Sequence, residues 1–162
     1  ASEAGMRVLA KGGSAIDAAI AVQMVLTLVE PESSGIGGGA FALYWDKANK
    51  SLQSFDGREK APMAADGKLF QQDGKNMNWW NALAGGRAVG VPGVVAMMEK
   101  VHQQHGKLPW AELFDDAIKL SEDGFEISPK LGASIARGTN PALGRYEASW
   151  NYFFPDGQPL RA

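Results

Sequence analysis

The residues with the clearest chemical potential lie in the segment FDGREKAP, residues 55–62, where Arg58 follows a predicted strand. A guanidinium can bind a carboxylate through two parallel hydrogen bonds, a geometry that lysine cannot reproduce. Asp56 and Glu59 flank this arginine. The residues alone favour the alternative, in which a solvated arginine pairs weakly with neighbouring acids.

The second candidate is the glycine cluster GIGGGA, residues 35–40, which formally fits the dinucleotide-binding pattern G-x-G-x-x-A. That motif needs a strand before it and a helix after it, so that the helix N-terminus faces the pyrophosphate. Here a predicted helix precedes the cluster and a predicted strand follows it. We therefore interpret the glycines as structural, allowing positive φ angles and close backbone approach, and we expect no cofactor.

Metal and thiol chemistry find little support in the sequence. Cysteine is absent, which excludes disulfides, thiolate catalysis and cysteine-ligated zinc. His102 and His105 lie three residues apart on a predicted helix, but no third ligand is evident nearby. We predict no metal site, since both histidines suit the C-terminal end of a helix.

The elements that must position these residues are mostly helical. Ser14 and Asp17 form a capping-box pattern, and Gly12 and Pro31 mark helix ends. The predicted helices cover residues 2–11, 15–29, 94–105, 110–123 and 129–138, and the predicted strands of one antiparallel hairpin cover residues 40–46 and 52–57. Residues 60–82 are predicted to be a loop with short turns. Two strands make a poor sheet alone, so we expect this chain to be part of something larger.

Length and composition predict one soluble domain over residues 1–162. The chain has 45% hydrophobic and 21% charged residues, with a net charge of −2 and acids and bases interspersed. This distribution gives no basic field for nucleic acid or a membrane surface. The longest apolar stretch, residues 15–29, is shorter than the roughly 20 residues of a spanning helix. Aromatic pairs such as Trp79 and Trp80 are interpreted as core or subunit contacts rather than base-stacking platforms.

Four segments in register resemble the gamma-glutamyltranspeptidase family: VEPESSGIGGGAFAL, FDGREKAP, AVGVPGVVAMME and LPWAELFDDAIKLSEDGFEIS. The resemblance runs through to the tail FFPDGQPL. It implies an α+β fold that is part of an N-terminal nucleophile hydrolase αββα sandwich, helix-rich with a central antiparallel hairpin. In this family a precursor cleaves itself, and the new N-terminal threonine of the small subunit attacks a γ-glutamyl amide to form an acyl-enzyme.

The resemblance also assigns roles to residues. It implies that Arg58 binds the α-carboxylate of the γ-glutamyl substrate, with Asp56 and Glu59 as supporting groups. Thr27 and Thr139 do not match the nucleophile, because one lies in a buried predicted helix and the other follows a helix end. The chain is therefore expected to be the N-terminal portion of a large subunit, with no catalytic residue of its own and with the small subunit as its missing partner.

Two alternatives stay open at this point. A cephalosporin or glutaryl acylase shares these motifs, and a non-catalytic scaffold domain could keep the fold without the nucleophile.

Because partner strands are missing, we expect apolar surface on the hairpin edge and on one face of the helix over residues 15–29, and hence self-association or marginal stability. The resemblance alone implies a periplasmic or extracellular location.

Overall fold

The structure, a computed structural model, describes residues 1–138, 140 and 142–162. The chain divides into two compact units. Unit 1 comprises Ala1–Ala61 and Gly90–Phe125, and unit 2 comprises Pro62–Val89 and Glu126–Ala162. The single domain expected over residues 1–162 stays a prediction, and Thr139 lies outside the described residues.

Unit 1 begins with two helices, α1 at Ser2–Ala10 and α2 at Ala15–Val29. The capping box is confirmed, since Asp17 N–H donates to Ser14 Oγ at 3.1 Å and Ser14 N–H donates to Asp17 Oδ2 at 2.7 Å. Both bonds satisfy backbone donors that the first turn of a helix leaves free. Within the described residues, no helix has the length and apolar character needed to cross a membrane.

The predicted antiparallel hairpin is confirmed, with β1 at Phe41–Asp46 and β2 at Ser51–Asp56. Side chains alternate between its two faces, as the period of a strand requires. The inner face packs on the core of unit 1 and includes Ala42, Tyr44 and Phe55. The outer face carries Phe41, Leu43, Trp45 and Leu52, all more than half exposed.

The rest of unit 1 is helical. Helix α4 covers Val94–His105, and a 3-10 turn at Trp110–Phe114 leads into α5 at Asp115–Asp123. The helix predicted over residues 110–123 thus begins as a 3-10 turn, and the helix predicted over residues 94–105 is confirmed. The core of unit 1 is apolar and comprises Ala4, Val8, Ala18, Ile20, Ala21, Val25, Phe55, Val94, Met97, Met98, Val101, Leu113 and Ala117.

Unit 2 contains short elements: strands β3 at Gln71–Gln72 and β4 at Lys75–Asn76, and helices α3 at Trp79–Leu83, α6 at Pro129–Arg137 and α7 at Glu147–Phe153. The predicted loop over residues 60–82 is therefore partly wrong. Asp73 and Gly74 join β3 to β4 with φ angles of 52° and 73°, the signs that a type I′ hairpin turn needs. The flanking strands are polar and show no alternation, so the hydrophobic pattern gives no sign of a hairpin around this Asp-Gly pair.

Apolar surface was expected on the hairpin and on one face of helix α2, and only the hairpin shows it. The outer face of the hairpin is exposed, as expected. Helix α2 exposes only the small residues Ala15 and Ala19 and keeps its larger side chains buried or half-buried. In unit 2, Trp79 and Trp80 are exposed, so they do not belong to a core of this chain. The interpretation of these tryptophans as subunit contacts is the one that remains.

Candidate carboxylate-binding site at Arg58

The candidate site begins where β2 ends. Asp56 is the last residue of β2, and its Oδ1 accepts a hydrogen bond from Arg58 N–H at 2.9 Å. An aspartate that binds the backbone two residues further on forms an Asx turn. Asp56 therefore holds the backbone of Arg58 rather than its guanidinium, which is a different form of support from the predicted one.

Backbone hydrogen bonds hold the Arg58 segment on both sides. Gly57 N–H donates to Ala40 O at 2.9 Å, which extends the hairpin by one pair beyond β1 and β2. Lys60 and Val91 form an antiparallel bridge, with N–O distances of 3.2 and 2.8 Å. Arg58 thus lies between two paired positions, and its Cα is fixed by bonds that do not involve its own side chain.

The guanidinium itself is open to solvent. The Arg58 side chain is 66% exposed, and its Nε lies 4.0 Å from Glu59 Oε1. Glu59 is 39% exposed, so water screens this pair and its contribution to stability is small. Arginine has five N–H donors, and no other ion pair of Arg58 occurs among the described residues. The donors are available for a carboxylate that comes from outside.

A second charged cluster in unit 1 has the opposite character. Asp17 is fully buried, and its Oδ2 accepts hydrogen bonds from the backbone N–H groups of Ser14, Lys107 and Leu108 at 2.7, 2.9 and 3.2 Å. Burial raises the pKa of Asp17, but these three bonds to the ionised form outweigh it, so the pKa lies below its ordinary value. We call these residues, together with His102, the Asp17 cluster.

His102 completes the Asp17 cluster. Its Nε2 lies 2.9 Å from Leu108 O and 3.5 Å from Asp17 Oδ1. A carbonyl can only accept, so Nε2 carries a proton directed at Leu108. A carboxylate beside an imidazole resembles a general-base pair, but here both groups bind backbone from the segment that follows α4. The arrangement joins that segment to the N-terminus of α2.

The two histidines considered as metal ligands have separate partners. His105 Nε2 lies 3.0 Å from Gln53 Oε1, and its ring stacks on Tyr44 with centroids 4.0 Å apart. His102 instead belongs to the Asp17 cluster. Among the described residues, no group of three potential ligands could hold a metal ion. The structure therefore uses each ring for packing and for one polar contact.

The sequence model of the gamma-glutamyltranspeptidase family matches residues 1–162, the whole of the chain. The chain belongs to the gamma-glutamyltranspeptidase family. It is 40% identical to the glutathione hydrolase proenzyme of Bacillus subtilis strain 168 over 162 aligned residues. The alignment covers 99% of this chain and 27% of that protein. The chain therefore spans about a quarter of the length of this relative.

Solved structures give the same family and the same fold. The chain is similar to the gamma-glutamyltranspeptidase of Helicobacter pylori, with a TM-score of 0.90 and 37% identity over 99% of this chain and 46% of that one. It is also similar to a cephalosporin acylase from Bacillus halodurans, with a TM-score of 0.79 and 30% identity over 99% of this chain and 30% of that one. The predicted fold class, that of the N-terminal nucleophile hydrolases, is confirmed.

In this gamma-glutamyltranspeptidase family member the three predicted site residues lie within four positions of the chain, with Gly57 between Asp56 and Arg58. The structure brings Arg58 next to Glu59 through the side chains and next to Asp56 through the backbone. Their roles toward a substrate stay predictions. Sequence reasoning missed the contact of Gly39 with this segment, although the glycine cluster was the available signal.

Proposed function

We propose that this chain provides the α-carboxylate-binding arginine of an enzyme that cleaves γ-glutamyl amide bonds, in glutathione and related compounds, and transfers the γ-glutamyl group to water or to an amine. The observation that carries the proposal is the contrast within Arg58 itself. Its backbone is fixed on both sides by hydrogen bonds, while its guanidinium is 66% exposed and weakly paired. Bidentate binding of a carboxylate requires a fixed backbone position together with guanidinium N–H donors that are free to bind.

Arg58 would bind and orient the substrate rather than react with it. The two oxygens of the α-carboxylate would accept two parallel N–H bonds, which fixes both the position and the rotation of the glutamyl group. Orientation of this kind brings the γ-amide to one place relative to a nucleophile. Charge-assisted hydrogen bonds are worth about 1.5–3 kcal/mol, which corresponds to a roughly 10- to 150-fold effect.

The nucleophile belongs to the proposal but not to this chain. Thr27 donates its hydroxyl proton to Met24 O at 2.7 Å inside α2, so it is not placed to react. We propose a threonine from the small subunit of the same precursor, with its α-amine as base. Its oxygen attacks the γ-carbonyl carbon, the C–N bond breaks, and the departing amine takes the proton. Water or an amino acid or peptide amine then attacks the ester and restores the hydroxyl.

A second candidate function is a cephalosporin or glutaryl acylase, favoured by the similarity to the Bacillus halodurans enzyme. A glutaryl group keeps the terminal carboxylate of the γ-glutamyl group and lacks its α-amino group. Arg58 could therefore serve either substrate in the same way. Comparing γ-glutamyl and glutaryl anilides on the full-length protein separates the two: a preference for glutaryl would overturn the leading proposal.

The role of Arg58 is tested by a ratio of rates. The full-length protein is assayed with γ-glutamyl anilide and with the same anilide whose α-carboxylate is converted to a carboxamide. We expect Arg58→Ala to lower the acid-to-amide ratio of kcat/KM by about 100-fold. Arg58→Lys should lower it by less, since lysine keeps the positive charge but cannot form the two parallel hydrogen bonds. Lys60→Ala, which removes a neighbouring cation, is the matched control. An unchanged ratio in Arg58→Ala contradicts the proposal.

The remaining parts of the proposal concern the chain by itself. Without a nucleophile it is proposed to be inactive, and release of product from γ-glutamyl anilide by the isolated chain would contradict this.

The exposed outer face of the hairpin, Phe41, Leu43, Trp45 and Leu52, supports self-association of the isolated chain, which sedimentation would detect. The periplasmic or extracellular location rests on the family resemblance and is tested by cell fractionation. Absence of turnover by the full-length protein would favour the scaffold alternative.

A further inference from the structure

One glycine of the cluster at residues 35–39 contacts the Arg58 segment. A Cβ atom added to Gly39 would lie 2.6 Å from Glu59 N and 2.7 Å from Arg58 Cα, and it would also overlap Glu59 Oε2. Non-bonded heavy atoms are comfortable at about 3.5–4.0 Å. Two of these clashes involve backbone, which cannot turn aside as a side chain can. Any side chain at position 39 must therefore push the backbone at Arg58 and Glu59 and the backbone at position 39 apart.

The neighbouring glycines make no such contact. A Cβ at Gly37 or Gly38 would meet no atom within 4 Å. None of the four glycines of the cluster has a positive φ angle, so this half of the sequence interpretation is wrong. Close backbone approach, the other half, is confirmed at Gly39. The cluster thus contains one position that requires glycine for space and others that do not.

A second glycine contacts the same segment from the stretch before α4. A Cβ at Gly90 would lie 3.0 and 3.1 Å from Glu59 Cγ and Cβ and 3.1 Å from Lys60 O. These distances are tight but less severe than those at Gly39, and two of the three are to the flexible side chain of Glu59. Glu59 is therefore contacted closely by both Gly39 and Gly90.

Hydrogen bonds join the three backbone segments in pairs. The segment of Gly39 binds the segment of Arg58 through Gly57 N–H and Ala40 O, at 2.9 Å. The segment of Arg58 binds that of Gly90 through the bridge of Lys60 and Val91. Gly93 N–H closes the set by donating to Gly38 O at 3.1 Å. A displacement at position 39 is consequently passed to Arg58, because each segment is bonded to the other two.

We infer that Gly39 is a positioning residue for the carboxylate site. Because it lacks a side chain, the three segments close together, and this closure sets the place of the Arg58 Cα from which the guanidinium reaches the α-carboxylate. The inference rests on the proposed function of Arg58. Misplacing a binding group by about 1 Å can cost about 100-fold in rate, so a small backbone shift has a measurable effect.

The test uses the full-length protein and the same acid-to-amide ratio of kcat/KM. This ratio does not depend on the fraction of protein that is folded, so a purely structural loss leaves it unchanged. We expect Gly39→Ala to lower the ratio by about tenfold, through a higher KM for the acid substrate at similar kcat. We expect Gly90→Ala to lower it by about threefold, and Gly37→Ala and Gly38→Ala to stay within about twofold of the wild type.

The outcomes separate this inference from the proposed function. If Arg58→Ala lowers the ratio and Gly39→Ala behaves like Gly38→Ala, the positioning role is overturned while the proposed function stands. If Arg58→Ala leaves the ratio unchanged, the proposed function itself fails. If Gly37→Ala or Gly38→Ala lowers the ratio as much as Gly39→Ala, the inference is also overturned. Should Gly39→Ala yield no folded protein, Gly90→Ala decides: a ratio equal to that of Gly38→Ala overturns the inference.

Discussion

Asp17 and Arg58 are both charged side chains of unit 1, and the structure treats them in opposite ways. Asp17 is fully buried and accepts three backbone hydrogen bonds, two of them from residues about 90 positions away in the chain. Arg58 is 66% exposed, and its nearest acid is Glu59 at 4.0 Å. The charge of Asp17 binds backbone groups of the protein itself. At Arg58 the protein fixes the backbone and leaves the guanidinium exposed.

The difference distinguishes a charge that the fold needs from one that is proposed to bind a substrate. A buried carboxylate is costly unless hydrogen bonds within the protein replace those of water, and three backbone bonds to Asp17 Oδ2 do so. Asp17 Oδ1 is buried without a hydrogen-bond partner among the described residues and lies 3.5 Å from His102 Nε2. A binding arginine must instead keep its donors free until the ligand arrives, while its position is fixed in advance. The two residues therefore predict separate effects: Asp17 on stability and Arg58 on substrate binding.

The largest effect expected is on the free energy of unfolding. Asp17→Ala leaves the backbone donors of Ser14, Lys107 and Leu108 without their acceptor, and we expect a loss of about 3 kcal/mol or more. Arg58→Ala removes an exposed side chain and should change stability by no more than about 0.5 kcal/mol. Urea denaturation of both variants beside the wild type measures the difference. Similar losses of unfolding free energy in the two variants would contradict the view that Asp17 stabilises the fold and Arg58 does not.

The next effect concerns acid pH. The folded pKa of Asp17 is lowered, so its stabilisation is present above the ordinary pKa of about 4 and is lost as pH falls toward the folded value. Asp17→Asn does not titrate and should show a smaller loss of stability between about pH 5 and pH 2. The measurement is the unfolding free energy of both proteins across this range. Parallel curves would show that Asp17 gains nothing from its ionised form.

The smallest effect tests whether Glu59 restrains the guanidinium. Glu59→Gln removes the charge but keeps the side-chain length, and we expect the acid-to-amide ratio of kcat/KM to change by less than about fivefold, because exposed ion pairs are worth at most about 1 kcal/mol. Asp56→Asn retains an oxygen that can accept from Arg58 N–H and serves as the comparison. A loss as large as that of Arg58→Ala would mean that Glu59 contacts the substrate directly.

Local signals predicted the elements of unit 1 well. The Ser14 and Asp17 capping box and the hairpin were read from neighbouring residues, and the structure confirms both. Unit 2 was predicted less well. Helix α7 was missed because its aromatic residues are weak helix formers, although Trp150 stacks on Phe154 with centroids 4.4 Å apart. Short polar strands such as β3 and β4 gave no alternation to detect.

The candidate site was predicted only in part. Arg58 was predicted as a binding residue because its segment resembles a family motif, and Asp56 and Glu59 were added because they are adjacent to it; these roles stay predictions. The contact of Gly39 with Arg58 and Glu59 could not be read from a pattern, since about 20 positions separate the two segments and a glycine cluster has several explanations. The role of Asp17 beyond its helix cap depends on Lys107 and Leu108, which no local pattern connects to α2.

The sequence by itself determined the helix caps, the hairpin and the family, because these depend on the order of residues along a short stretch of chain. Only the tertiary structure decided which glycine requires the absence of a side chain, which charge is buried, and which face of the hairpin is exposed. These properties arise from contacts between segments distant in sequence, whose distances are set by packing and backbone hydrogen bonding together.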